Sequence, residues 1–494
     1  MDVVIIADIY PLNIWTRTVG AFRLASYCRG LGFSVKVLYG LSDFEDHHQR
    51  RLLNHYISSD TKLVALSSTF MFQKAKYSGI DSIRNFYKQE LLSNLKELKD
   101  VFSHIPFIVG GANSQSEEFK FFDHVAFGFG EEVFYGFLKD PDRLIPMSQV
   151  IGDRNYYKSG NADFVDSFET LYNESDNIHN GETLTIEVSR GCRFKCKFCS
   201  YPLNGRLVNT YLKSTECLKR EFLENYQKYQ ITNYVLADDT FNESEEKLSH
   251  FLSTVEALPF KINYTGYLRL DLMAKQEPFW DRLAKSGLRG VFFGIESLND
   301  KAAQCIGKGF GAVNTKNTLM KLKKVWGQEV TTSAGFIVGL PFEDSGTIEA
   351  WTSELLSKDF PLDVKSFEPL YINSKASLYA WKSQFQMESE KYGYELSEKD
   401  GAPFWTSEHF TFNSASELAD KLNRKSLSEE VQANFGSFKV MMLMGLGLTF
   451  DEARSLRPLD SKSTQLINSL TQNRITAHLK KELDLLQPEL RLEV

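Results

Sequence analysis

Ser189-Arg190-Gly191-Cys192-Arg193-Phe194-Lys195-Cys196-Lys197-Phe198-Cys199-Ser200 is the stretch on which the reading of this chain turns. Half of the six cysteines in 494 residues fall here, spaced Cys-x-x-x-Cys-x-x-Cys. A disulfide framework needs a partner for every thiol, and three leave one over. A structural zinc site wants four closed ligands, commonly from two close pairs. The nearest histidines, His179 and His250, are distant, and Cys217 belongs to no second pair. The spacing alone would also fit one face of a helix. Arg193, Lys195 and Lys197 alternate through the segment, however, and Gly191 introduces it, so it reads as a basic loop. Three thiolates on one short loop suit three corners of a four-iron cluster, with the fourth iron open to a ligand that is not protein.

Outward from that loop, the chain is long enough for two or three domains. Its composition is globular: 42% hydrophobic, 24% charged, net charge −7. That charge argues against a surface that coats nucleic acid, and no dense Lys/Arg run with interleaved aromatics marks an RNA site. No stretch reaches the ~20 apolar residues of a membrane span. The first residues, Met1-Asp2-Val3-Val4-Ile5-Ile6-Ala7-Asp8, read as an acidic-flanked strand and not a signal peptide. A cytoplasmic protein with reduced cysteines is expected.

Residues 1–140 repeat a strand–helix rhythm that predicts a parallel sheet with crossover helices. Strands are expected at Val3 to Ala7, Val35 to Tyr39, Leu63 to Ser67, Phe107 to Gly111 and His124 to Gly128. Their C-terminal tips carry Asp8, Ser67-Ser68-Thr69, Gly110-Gly111-Ala112-Asn113 and Gly128-Phe129-Gly130-Glu131-Glu132, and open α/β sheets bind ligands beyond those ends. Residues 141–180 are polar (Ser159-Gly160-Asn161, Asn173 to Asn177) and read as a linker. Over 181–372 the rhythm returns. Six units follow, with strands at Thr185 to Val188, Asn233 to Ala237, Lys261 to Tyr267, Gly290 to Gly294, Thr331 to Val338 and Val364 to Phe367. Their polar residues gather at strand C-termini, where barrel enzymes place their chemistry. Residues 373–494 read as a helical extension over the barrel: Ser416 to Asn423, Val431 to Leu446, Ser461 to Leu486.

The cysteine triplet, including the aromatic Phe198 before its third cysteine, resembles the radical S-adenosylmethionine (radical SAM) enzymes. The N-terminal sheet resembles the cobalamin-binding domain that precedes the barrel in one subfamily. The resemblance runs from residue 1 to about 420, including Trp405-x-x-x-His409. It implies an α/β chain: a Rossmann-like cobalamin-binding-type sheet, a (βα)6 partial TIM barrel, then the helical extension. It implies a [4Fe-4S] cluster on Cys192, Cys196 and Cys199. SAM would be held by Phe198 on the adenine, by Asp239 and Asn242 on the methionine moiety or ribose, by Arg269 on the carboxylate and by Glu296 on the ribose or ammonium. Gly335 and Gly339 would allow backbone approach to adenine. Each polar residue also has a simpler reading as a helix cap. Cobalamin would lie against Ser67 or Ser68, Gly110, Gly111 and Gly128. Where many cobalamin proteins carry Asp-x-His-x-x-Gly, this chain has Asp8-Ile9-Tyr10-Pro11-Leu12-Asn13, without the histidine.

The implied function is cleavage of SAM to a 5′-deoxyadenosyl radical, with cobalamin-dependent methyl transfer to an unactivated carbon. The alternatives are a corrinoid-free cyclase, oxidoreductase or mutase, or a non-catalytic iron–sulfur or corrinoid sensor. A sulfur-inserting enzyme needs a further cluster, for which Cys28, Cys217 and Cys305 are too scattered. Cys28 reads as core, Cys217 and Cys305 as buried small residues, with Cys305 alternatively a second redox or acceptor thiol, and His409 as packed or at the surface, alternatively contacting substrate or the SAM pocket. The substrate is a small molecule by default, and a flavodoxin or ferredoxin is the expected electron donor. The sequence names no acid, base or acceptor residue.

Overall fold

The computed structural model describes residues 1–8, 15–69, 71, 81–111, 114–144, 146–147, 154–158, 169–201, 205, 212–372, 382–399, 402–428 and 434–486. The expected tip residues Ile9 to Asn13 and Ala112-Asn113, and the polar Ser159-Gly160-Asn161, lie outside them.

The first sheet is built from runs with no polar face. β1 (Val3–Ala7) and β2 (Val35–Tyr39) are buried at every position, the signature of a parallel strand covered on both sides. With β3 (Leu63–Ser67), β4 (Phe107–Gly110), β5 (His124–Phe127) and β6 (Asn155–Lys158) they form a six-stranded sheet ordered β2-β1-β3-β4-β5-β6. Every pair is parallel. β6 corrects the sequence reading: residues 141–180 were expected as a linker, yet Asn155–Lys158 pairs with β5 as an edge strand.

The second sheet runs in chain order: β7 (Thr183–Ile186), β8 (Asn233–Leu236), β9 (Asn263–Leu268), β10 (Leu288–Glu296), β11 (Thr331–Val338) and β12 (Val364–Pro369). All pairs are parallel, which makes it the open (βα)6 partial barrel. Helices cross back between strands, and several begin on a side-chain cap: Ser214 accepts from the Cys217 amide, Ser244 from Lys247 and Asp344 from Thr347.

Two features of residues 382–486 position the site. A hairpin, β13 (Glu395–Lys399) and β14 (Ala402–Thr406), interrupts what composition reads as wholly helical. The helix Ser437–Gly445 lies across the starts of β7 to β11. Its Ser437 amide donates to Ser333 Oγ at 3.0 Å, and Thr183 Oγ1 donates to the Met441 carbonyl at 2.7 Å. A Cβ at Gly290 would sit 2.5 Å from Ser437 Cβ, and one at Gly445 2.5 Å from the Thr183 nitrogen. The helix thus closes the bottom of the barrel and leaves the strand C-termini as its mouth. Apolar residues of the first sheet, of the barrel and of this helix form one continuous core.

Candidate active site at the barrel mouth

The cysteine loop leaves β7 at the mouth, and a buried charge network fixes its path. Asp238, just after β8, accepts from the Val188 amide (2.9 Å), the Ser189 amide (2.9 Å) and Ser189 Oγ (2.7 Å). Lys247, fully buried, pairs with Asp238 at 2.7 Å and with Glu243 at 3.1 Å. Glu243 in turn accepts from the Arg193 amide at 3.0 Å. Both ends of the first cysteine's turn therefore hang on one carboxylate–ammonium–carboxylate chain. Further along, the Lys197 amide donates to the Ile306 carbonyl and the Phe385 amide to the Lys197 carbonyl, at 3.2 and 3.1 Å.

Each thiol has a donor or a hydroxyl beside it. Cys192 Sγ lies 3.5 Å from Thr240 Oγ1. Cys196 Sγ accepts from Arg269 Nη1 at 3.4 Å, and Cys199 Sγ from the Tyr201 amide at 3.4 Å. Burial pushes the Cys199 thiol up to about 11 and raises Cys192 as well, so a metal must displace their protons on binding. Among the described residues no three His, Cys, Asp or Glu side chains converge on a single-ion site. A four-iron cluster does not ask for that, because each thiolate takes a different iron. Three soft thiolates on one pinned loop, each with a polar group at the sulfur, fit such a cluster in donor chemistry.

The residues nominated for SAM divide into two groups. Phe198, Asp239 and Glu296 stand around the cysteine loop. Phe198 packs partly buried against the core beside Cys199. Asp239 opens to solvent but lies deep in the mouth, where desolvation and then the Asp238 charge push its carboxyl up to about 6 against a hydrogen bond from Tyr201. Glu296 ends β10 at φ 70°, a left-handed conformation that costs a non-glycine residue about 1–3 kcal/mol and collects at functional sites. Its Oε1 is 3.5 Å from Lys308 Nζ, and burial raises its pKa.

Asn242, Arg269 and Gly339 each have close partners within the protein, Arg269 among them on the cysteine loop itself. Asn242 is fully buried. It donates to the Arg269 carbonyl (2.9 Å) and Gln276 Oε1 (3.1 Å) and accepts from the Arg269 amide (2.8 Å). Arg269 is 4% exposed and clamped by Asp271. Gly339, at φ 96°, makes room for a ring: a Cβ there would lie 2.5 Å from Trp405 Cη2. Trp405 is buried, with its Nε1 donating to the Leu370 carbonyl at 2.8 Å. Among the other residues weighed, Cys28 is buried, and His409 is surface-exposed.

One group, Glu343, escaped the sequence reading. Glu343 is 2% exposed, and its Oε1 accepts from Ser297 Oγ (2.6 Å) and Trp351 Nε1 (3.2 Å). Burial pushes it up to about 7.

A second site lies at the C-terminal edge of the first sheet. A cavity of about 290 Å³ is walled by Ile5, Leu24, Ala65, Ile108 and Ala126 and rimmed by Ser67, Thr69, Gly110, Gly111, Gly128 and Gly130. Ser67, Gly110, Gly111 and Gly128 thus meet in one place. Ser68 does not line the cavity; it is buried, and its hydroxyl donates to the Gly110 carbonyl at 2.8 Å. Gly111 sits at φ 97°, where a Cβ would lie 2.4 Å from Thr69 Oγ1. Asp8 accepts from Ser42 Oγ at 2.6 Å. No histidine is among the described lining residues.

The cavity reaches the cysteine loop. Its charged wall is Arg23 and Glu131 from the N-terminal sheet and Glu187 and Arg190 from the barrel. Arg190, two residues before Cys192, contacts Glu131 at 2.8 Å, holds Glu187 through Nε (3.0 Å) and Nη2 (2.9 Å), and stacks 4.3 Å over Phe129.

Comparison with known proteins agrees with this geometry. Residues 186–353 match the model of the radical SAM superfamily. An uncharacterised methyltransferase of Pyrococcus horikoshii is 28% identical over 178 residues, 36% of this chain and 37% of that protein. One of Synechocystis is 27% identical over 173 residues, 33% of this chain and 31% of that protein. These matches therefore span about a third of the curated relatives. The fold is shared with TsrM of Kitasatospora setae, a radical SAM methyltransferase solved with tryptophan substrate and a SAM analogue (16% identity, TM-score 0.57, 81% of this chain and 80% of that one). It is shared too with OxsB, a cobalamin-dependent SAM radical enzyme solved with aqua-cobalamin and SAM (15% identity, TM-score 0.60, 100% of this chain and 75% of that one). Residues 186–353, which carry the three cysteines, match the radical SAM superfamily, and the chain as a whole shares its fold with TsrM and OxsB.

Proposed function

We propose that this protein is a radical SAM methyltransferase that uses a [4Fe-4S] cluster, SAM and cobalamin to methylate an unactivated carbon of a small molecule. The observation that carries the reading is the shared wall: the cavity of the first sheet is lined by Arg190, two residues before Cys192, so the two candidate sites adjoin. Cys192, Cys196 and Cys199 hold the cluster. Phe198 packs against the adenine, and Asp239 and Glu296 take the polar groups of SAM at the mouth. The glycine and serine tips would hold a corrinoid against the apolar cavity, and no histidine is among the described lining residues. When bound, the cluster supplies the electron that cleaves SAM to methionine and a 5′-deoxyadenosyl radical, and the corrinoid carries the methyl group. An external donor of the flavodoxin or ferredoxin class delivers that electron. Among the described residues no helix is long and apolar enough to cross a membrane, which agrees with a cytoplasmic enzyme and a diffusible substrate.

The chain's own residues position and exclude water. Helix Ser437–Gly445 plugs the barrel below, so water is excluded from that end and the mouth is the open end of the lumen. Anaerobic expression with hydroxocobalamin, followed by iron and cobalt counts per chain, tests the reading. About four irons and one cobalt are expected. Iron without cobalt refutes the methyl-transfer half and leaves corrinoid-free hydrogen abstraction; absence of iron refutes the whole.

A further inference from the structure

Arg269 follows β9 directly, and everything about it is fixed. Its backbone amide and carbonyl are both bonded to the Asn242 side chain, at 2.8 and 2.9 Å. Its Nε and Nη2 donate to the two oxygens of Asp271 at 3.0 and 2.8 Å. Nη2 also donates to the Gly307 carbonyl at 3.4 Å, and Nη1 to Cys196 Sγ at 3.4 Å. The plane of the guanidinium stacks on Phe194, 4.0 Å from its ring centre. A guanidinium has five N–H donors, and four are engaged. A two-pronged grip on a SAM carboxylate would have to displace Asp271 from the Nε–Nη2 edge, or the Gly307 carbonyl and Cys196 from the Nη1–Nη2 edge.

The three thiols are not treated alike. Thr240 stands beside Cys192 and a backbone amide beside Cys199. Cys196 receives a hydrogen bond from a cation. Hydrogen bonds to the sulfurs and the local charge are what a protein uses to set the potential of an iron–sulfur cluster. A positive donor at sulfur favours the state that holds one more electron.

We propose that Arg269 is a positioning residue for the cluster and not a ligand of SAM: clamped by Asp271 and stacked on Phe194, it holds the cysteine loop to β9 and raises the cluster's reduction potential through Cys196. The couple concerned is the one-electron reduction of the oxidised cluster by the external carrier; no atom is transferred. The inference rests on the cluster reading given under Proposed function. It replaces the role that family resemblance assigns to this arginine with one that the contacts of this chain support.

The test compares wild type, Arg269→Met, Arg269→Lys and Asp271→Asn, each reconstituted anaerobically. Iron per chain, the midpoint potential from an EPR-monitored titration, and SAM affinity are measured on each. Arg269→Met should retain iron, shift the potential downward and leave SAM affinity within about twofold, a difference well under 1 kcal/mol. Arg269→Lys keeps the charge without the fork and should shift the potential less. Asp271→Asn removes the opposing charge and should shift it upward. An unchanged potential in Arg269→Met, or a loss of SAM affinity of about tenfold or more without a shift, overturns the inference. Should Arg269→Met fail to hold iron, the other two variants decide: no shift in either, or a downward shift in Asp271→Asn, overturns it. Wild-type protein that takes up no iron refutes the cluster reading itself, an outcome distinct from all of these.

Discussion

Asp238 offers the sharpest perturbation, because one carboxylate carries the start of the cysteine loop. Replacing it by alanine removes acceptors for the Val188 amide, the Ser189 amide and the Ser189 hydroxyl. It also leaves Lys247, at 0% exposure, with Glu243 at 3.1 Å and the Thr240 carbonyl at 3.3 Å as its remaining partners. Breaking a buried ion pair from one side costs about 3–5 kcal/mol, chiefly because a charge is stranded. Each backbone amide left without a partner adds a penalty of about 1–3 kcal/mol unless water reaches it. Against a total stability of about 5–15 kcal/mol this is a large fraction. Denaturant unfolding of Asp238→Ala should therefore show a midpoint well below wild type, and the reconstituted variant should hold less iron. Lys247→Met separates the causes: in the Asp238→Ala background it removes the stranded charge, so it should cost less there than in wild type, with a coupling of about 1 kcal/mol or more. An Asp238→Ala protein within about 0.5 kcal/mol of wild type and with full iron would refute the reasoning, since that is the range of an inert surface change.

Three further outcomes follow from the geometry. Gly339→Ala places a Cβ 2.5 Å from the Trp405 ring at φ 96°, so it should cost about 2–4 kcal/mol in thermal unfolding, by strain and overpacking together. Gly111→Ala puts a Cβ 2.4 Å from Thr69 Oγ1 and should weaken cobalamin uptake while leaving the iron count unchanged. The buried pair His179 and His478, 3.4 Å apart, stays neutral in the fold: burial first, then Arg17 and neighbouring cations, pushes His179 down to about 2 and His478 well below its usual value. Both folded values lie below the unfolded one, so stability is complete above pH 6.5 and falls as pH drops below it, at up to about 1.4 kcal/mol per pH unit for each histidine. Glu343, pushed up to about 7, and Asp239, up to about 6, work in the opposite sense below pH 7, so Glu343→Gln should steepen the acid-side loss of stability measured by unfolding across pH 5 to 7.

The strands were legible where burial is total. β1, β2 and β3 are runs of aliphatic residues whose limits coincide with the expected ones. β6 was not legible, because Asn-Tyr-Tyr-Lys is short and polar-flanked and becomes a strand only through the free edge of β5. β13 was hidden for a similar reason: Glu-Leu-Ser-Glu-Lys shows little apolar alternation and is held by β14. At the site the cysteines announce themselves by spacing, whereas the roles of their neighbours depend on pairings no local pattern encodes. Asp238 and Asp239 are adjacent and chemically identical, yet one holds the loop from inside and the other opens into the mouth. Asn242 and Arg269 both stand where SAM contacts are expected, and 27 residues of sequence separate two groups that bond each other. Serine at a strand tip was equally ambiguous: Ser67 meets the cavity, while Ser68 turns to a backbone carbonyl.

The same long-range pairings explain why the N-terminal sheet and the barrel act as one object. Arg17, at 0% exposure, ion-pairs with Glu182 and donates to the carbonyls of Asp176 and Asn177 at 3.1 and 2.6 Å, while its own carbonyl accepts from Thr185 Oγ1 in β7 at 2.8 Å. Lys36 of β2 reaches Glu482 of the last helix at 2.7 Å. Glu131 and Arg190 then tie the rim of the cavity to the residue before Gly191 and Cys192. Buried charges contribute little net stability compared with apolar contacts of the same volume, but a mispaired arrangement is penalised by several kcal/mol. A seam built from them therefore selects one relative placement of cavity and cysteine loop. Two-cofactor chemistry needs such selection, since a reacting group displaced by about 1 Å loses on the order of a hundredfold in rate. On this view the seam's value lies in geometry as well as stability, and Glu131→Gln, which strands Arg23 and Arg190, should lower the unfolding midpoint and also reduce methyl transfer beyond any loss of cofactor content or SAM cleavage.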